Sequence, residues 1–186
     1  MKRVFLILAA TLLVIPLSSP AQAQTDQQKE IARNATRERL RTLLDSAGQR
    51  KDINATFRQS PKQPYNFVGS MSDGFKNAES LEIVISVTPN ETIGFRVYPH
   101  FAGGYVNIDK ARNTAALMRK LVNLNDHNFL FWGADDTGDI FAGYTVTLES
   151  GFPSEAIMIV LRSIRNTDQF FGELRPFIDG SFVPKS

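Results

Sequence analysis

Asn128-Phe-Leu-Phe-Trp-Gly-Ala-Asp-Asp-Thr-Gly-Asp-Ile-Phe-Ala-Gly-Tyr-Thr-Val-Thr-Leu148 decides the fold, and Glu149-Ser-Gly-Phe-Pro153 follows it at once. Phe129, Phe131 and Gly133 alternate with Leu130 and Trp132. Further on, Ile140, Ala142, Tyr144, Val146 and Leu148 alternate with Phe141, Gly143, Thr145 and Thr147. A period of two on both arms predicts two strands with distinct faces. Asp135-Asp-Thr-Gly-Asp139 joins them with turn-forming residues, Gly138 being free to take a positive φ. Three carboxylates in five residues invite a calcium reading, but the twelve-residue loop with its closing Glu is missing, so a turn is expected.

Outward from this hairpin the pattern changes period. After it, Pro153 suits a first helical turn, and Ile157, Leu161, Ile164, Phe171 and Leu174 continue at helical spacing until Pro176 and Gly180 close the helix. Before it, Asp109 is placed to cap a helix burying Ala111, Ala115, Met118, Leu121 and Val122, which Asn125 to Asn128 ends. Upstream, Tyr65–Met71, Leu81–Thr88 and Ile93–Tyr98 read as an antiparallel meander joined by short turns. Pro99 to Ile108 reads as an irregular crossing segment. Thr25 to Gly48 reads as an amphipathic helix opened by a Thr25–Gln28 capping box, with a strongly charged upper half. The expectation is an α+β fold, an antiparallel sheet flanked by helices in the order α-β-β-β-α-β-β-α. Residues 24–180 form one domain, in which 24–48 is the N-terminal helix and 49–64 a polar loop, and 181–186 is a tail.

The first 23 residues stand apart. Lys2-Arg3 precedes an apolar run from Val4 to Leu17, and Ser18 to Ala23 offers an A-x-A cleavage site. The run is shorter than the roughly 20 apolar residues a membrane span requires. A cleaved signal peptide, ending near Ala23, and a periplasmic or secreted product are therefore expected, with no membrane attachment after cleavage. That segment carries two of the 21 basic residues and none of the 19 acidic ones, so the remainder is close to neutral. Charge gives no argument for nucleic acid as a partner. Cysteine is absent, so the core must hold without disulfides.

No catalytic, cofactor-binding or metal-ligating set can be assigned, and no cofactor is implied. His100 and His127 lie in separate segments with no second histidine at ligand spacing. Ser150 sits between a strand and a helix but lacks a nucleophile-elbow pattern and an identifiable base. The candidate interaction surface comprises Tyr98, His100, Phe101 and Tyr105 together with Leu130 and Trp132. Aromatics in such a segment either plug the end of a sheet or line a contact surface or pocket.

Trp132-Gly-Ala-Asp-Asp136, Ile140-Phe-Ala-Gly-Tyr144 and Thr147-Leu-Glu-Ser-Gly-Phe-Pro153, in this order of elements, resemble the YbjN family of bacterial proteins, named as sensory transduction regulators and similar in fold to type III secretion chaperones. The resemblance runs from about Pro64 to Asp179. It implies an α+β domain without cofactor or catalytic residues, so that no site residue is carried over. It also implies a protein partner, bound as an extended client segment, and a homodimeric arrangement. This chain departs from the pattern by its export signal. The functional expectation is an exported, non-enzymatic protein-binding module, chaperone-like or regulatory. The alternative is a periplasmic small-ligand sensor built on residues 98–105.

Overall fold

The structure, a computed structural model, describes residues 20–181, with side chains from residue 25 onward. The expected leader falls outside the described residues except for 20–23, and so does the tail beyond 181. Helix α1 (Pro20–Gly48) leads into β1 (Thr56–Gln59), β2 (Asn66–Met71), β3 (Ser80–Val87), β4 (Thr92–Phe101) and the two-residue β5 (Gly104–Tyr105). Then come α2 (Thr114–Leu124), β6 (Phe131–Ala134), β7 (Ile140–Thr147), α3 (Ser154–Ser163) and α4 (Thr167–Ile178). The strands make one antiparallel sheet in the order β1-β2-β3-β4-β7-β6, with β5 paired to the far end of β4. This is the α+β, helix-flanked antiparallel architecture expected.

The alternation in the strands sorts residues onto two faces. Register places Phe67 opposite Ile85, Ile85 opposite Phe95, and Val97 opposite Ala142. These side chains are buried and form one core with Leu40 and Leu44 of α1, Leu117 and Leu121 of α2, Ile157 and Leu161 of α3, and Phe171 and Leu174 of α4. All four of the described α-helices therefore cover the same face. Asp168, in the first turn of α4, ties that helix to the loop before β3. Its carboxylate accepts from the backbone N–H groups of Lys76 (2.9 Å), Asn77 (3.0 Å) and Ala78 (2.8 Å).

Several local expectations are corrected. The polar stretch 49–64 contains β1, a mostly exposed edge strand whose one inward aromatic, Phe57, lies over Gly69. An edge strand with a polar surface shows no apolar alternation to detect. Helix α1 already runs from Pro20, so Thr25 is an interior position and does not open the helix. Asn113, not Asp109, caps α2, its Oδ1 accepting from Ala116 N at 3.1 Å. The buried stripe of α2 is Leu117, Leu121 and Leu124, while Met118 and Val122 are exposed. Three leucines at i, i+4 and i+7 remove more apolar surface from water than the alanine-containing stripe. The closing helix is two helices separated by a 3-10 turn over Ile164–Asn166, and Pro176 sits inside the last turn of α4.

Helix α1 packs on its own domain. Its lower half buries Leu40, Leu44 and Ala47. Its upper half is held by Arg33, whose Nε and Nη2 donate to Val87 O at 3.0 and 2.8 Å while Cζ lies 3.6 Å from the Tyr65 ring centroid. Tyr65 in turn hydrogen-bonds Asn34 and Glu30 through its hydroxyl.

Candidate functional site

The face of the sheet opposite the helices is open. Glu82, Val84 and Ser86 of β3, Gly94, Arg96 and Tyr98 of β4, and Phe141 and Thr145 of β7 all point to it, by the same register that sends their neighbours into the core. Together with Tyr105, Phe131, Asp135 and Asp139 they line a trough of about 760 Å³, to which, among the described residues, no helix contributes. A second cleft of similar volume, between the end of α1 and β1, is lined mainly by polar residues and offers Phe57 as its one aromatic ring.

One half of the trough is aromatic. Tyr98 meets Tyr105 edge-on at 5.6 Å between centroids and Phe141 at 5.8 Å, and Phe131 meets Phe141 edge-on at 5.9 Å. Gly143 makes this possible, because a Cβ there would come within 2.6 Å of the Phe131 ring. Arg96 sits at the centre with its Cζ 4.7 Å from the Phe141 ring centroid, a cation–π arrangement. Among the described residues no carboxylate lies within ion-pair distance of Arg96.

The acidic groups of this region are engaged by hydroxyls instead. Tyr105 donates to Glu82 Oε1 at 2.7 Å, and Tyr98 donates to Asp135 Oδ2 at 3.2 Å. Burial, and then the Glu82 carboxylate, push the Tyr105 phenol above its ordinary range. Burial also raises Tyr98, against the pull of Arg96 and with the help of Asp135. Both phenols therefore stay protonated and serve as fixed donors at neutral pH. Burial alone would raise Asp135, but hydrogen bonds from Thr137 and Asp139 outweigh it and hold the carboxyl below its usual value. Those bonds come from Thr137 N, Thr137 Oγ1 and Asp139 N at 3.0, 2.7 and 3.0 Å, and Gly138 supplies the positive φ that closes the turn.

The six residues singled out from the sequence divide between the two faces. Tyr98 (9 % exposed), His100 and Tyr105 (46 % exposed) share the open face, the His100 and Tyr105 rings lying 4.5 Å apart. Phe101 points the other way, against Phe171, with Arg175 Cζ 3.8 Å from its ring centroid. Leu130 and Trp132 are core residues, 7 % and 4 % exposed, and not part of a surface. Val84 faces outward as its alternation required, whereas Leu130 does not.

The segment 98–105 is no irregular crossing. Strand β4 continues through Pro99 to Phe101 and returns through a two-residue turn, Ala102 and Gly103 both at positive φ. Glu79 caps that turn by accepting from the N–H groups of Ala102 and Gly103, each at 3.0 Å. The residues missed were Arg96, Phe131, Phe141 and Asp135. Arg96 shares the alternation phase of Tyr98 on β4, whereas Phe131, Phe141 and Asp135 belong to β6, β7 and the turn between them and reach this face only through strand pairing.

No family model and no curated protein matches the chain. Solved structures similar to it include the following two. One is YbjN from E. coli, assigned provisionally as a transcription regulator, at 16 % identity and TM-score 0.46, covering 73 % of this chain and 88 % of that one. The other is a chain of the ExsC–ExsE complex, at 16 % identity and TM-score 0.43, covering 78 % of this chain and 98 % of that one. Both are likenesses of fold.

Proposed function

We propose that this chain is an exported, non-enzymatic protein-binding module of the bacterial envelope, chaperone-like or regulatory, which holds an extended protein segment on the open face of its sheet. The observation that carries this reading is the trough itself. Among the described residues the helices cover the other face and leave this one bare, with exposed aromatic rings and a central arginine that has no carboxylate within ion-pair distance. Grooves of this kind recognise segments through alternate side chains and a few charged anchors. Export rests on the Lys2-Arg3, Val4–Leu17 and Ser18–Ala23 pattern. Among the described residues no helix is long and apolar enough to cross a membrane.

The test compares wild type with Val84→Glu and Arg96→Glu in crosslinked affinity capture from the envelope. Both substitutions lie on the open face, so the variants should keep the wild-type melting temperature and lose the captured protein. Capture at wild-type level by both folded variants contradicts the reading.

The clustering of Tyr98, His100 and Tyr105 favours one alternative, a periplasmic small-ligand sensor, since about 300–1,000 Å³ is the usual size of such pockets. A thermal-shift screen with periplasmic metabolites separates the two readings. A stabilising metabolite whose effect disappears in Tyr98→Ala and Tyr105→Ala supports the sensor.

A further inference from the structure

The described residues contain four buried side-chain polar atoms without a hydrogen-bond partner: His100 Nε2, Asn128 Oδ1, Trp132 Nε1 and Thr167 Oγ1. Three of them belong to residues that line one small cavity. It measures about 40 Å³ and lies between the entry to β6 and the α3–α4 junction, lined by Asn128, Leu130, Trp132, Ser163, Thr167 and Phe170 among others. Thr167 is 1 % exposed and the Trp132 ring is embedded in the core, so neither polar atom can turn to bulk solvent. An unmet buried donor or acceptor costs about 1–3 kcal/mol. Three such atoms on residues that line one cavity call for a common explanation.

We propose that this cavity is a structural water site. Donor and acceptor capacity select the ligand. The Trp132 indole N–H can only donate. Asn128 Nδ2 already donates to Leu124 O at 2.7 Å, which leaves Oδ1 as an acceptor. Thr167 Oγ1 can do either. Ser163 does not compete as a donor, because its hydroxyl donates to Val160 O at 2.7 Å.

An anion would face the Asn128 oxygen without a proton between them, and a metal cation would leave the indole N–H unpaired. One water accepts from Trp132, donates to Asn128 and exchanges a bond with Thr167, the three bonds typical of a buried water. A cavity needs only about 10–15 Å³ of probe-occupied volume to take a water, so the space admits one and leaves room for a second. This water joins the entry of the hairpin to the first turn of α4, two elements far apart in sequence.

The test is an experimental structure at a resolution that shows ordered water, with a water–indole NOE on the Trp132 side chain as its counterpart in solution. The expected result is a solvent peak at about 2.7–3.2 Å from Trp132 Nε1 and within bonding distance of Thr167 Oγ1 and Asn128 Oδ1. An NOE from the indole proton to a long-lived water should accompany it. In Thr167→Val, which keeps the shape and removes the hydroxyl, the peak should weaken or vanish and indole exchange should speed up. A dry cavity that takes up xenon overturns the proposal, and so does a direct bond from Trp132 Nε1 to a protein acceptor. Both readouts use the wild-type chain, so a variant that fails to fold does not decide the matter.

Discussion

The two faces of one sheet are built from adjacent residues and hold opposite chemistry. On β3, Leu81, Ile83, Ile85 and Val87 are buried under helices, while Glu82, Val84 and Ser86 between them look into the trough. On β4 the same step separates Phe95 and Val97 from Arg96 and Tyr98. The covered face is apolar and closed by the helices. The open one mixes aromatic rings with charges held by hydroxyls and one arginine lying on a ring. Stability resides on the first face and recognition is proposed for the second, so substitutions one residue apart should act on different properties.

The largest expected effect lies on the covered side. Phe95→Ala removes a fully buried ring from the centre of the sheet and should cost about 3–5 kcal/mol, read as a fall in denaturant midpoint. Next is Asp168→Ala, which strands the backbone N–H groups of Lys76, Asn77 and Ala78 and should cost about 2–3 kcal/mol. Arg33→Ala should cost about 1–2 kcal/mol. Its clearer mark is faster amide exchange over residues 25–39, with residues 40–48 still protected by Leu40 and Leu44.

On the open side the pH response is specific. Asp135 has a depressed carboxyl pKa in the folded state, so its contribution is complete above the unfolded value of about 3.9 and is lost as pH falls through the lower folded value. Wild type should therefore lose more stability than Asp135→Asn as pH falls from about 5 through the acid range, which paired acid titrations of melting temperature will show. The smallest effect belongs to Val84→Ser, expected within about 0.5 kcal/mol of wild type. A larger loss would mean that the outward face carries stability after all, and the contrast would collapse.

How far the sequence could be read follows the same division. Alternation along β3, β4 and β7 is plain because one face is uniformly apolar, and period two then assigns every residue to a side. It cannot say which side a neighbouring element covers. That is why Leu130 and Trp132 were expected on a surface, although helix packing buries both. Strand β1 escaped notice because an edge strand packs little, and the 98–105 hairpin was hidden by Pro99 and two glycines that read as breakers. The face of α2 was misplaced by one residue, since small alanines and large leucines both satisfy helical spacing and only burial separates them. Asp168 gave no local signal, its partners lying some 90 residues away in sequence. The trough was legible in part, through Tyr98 and Tyr105. Arg96, Phe131 and Phe141 join it only once β4, β7 and β6 are placed side by side.

Site-specific photocrosslinking tests the division of labour most directly. A photoreactive residue is placed at Val84 on the open face or at Ile159, exposed on α3 on the helical side, and the chain is irradiated in intact cells. A discrete crosslinked protein from position 84 and none from position 159 is the predicted result. Crosslinks from position 159 with none from position 84 would move recognition to the helices and contradict the account.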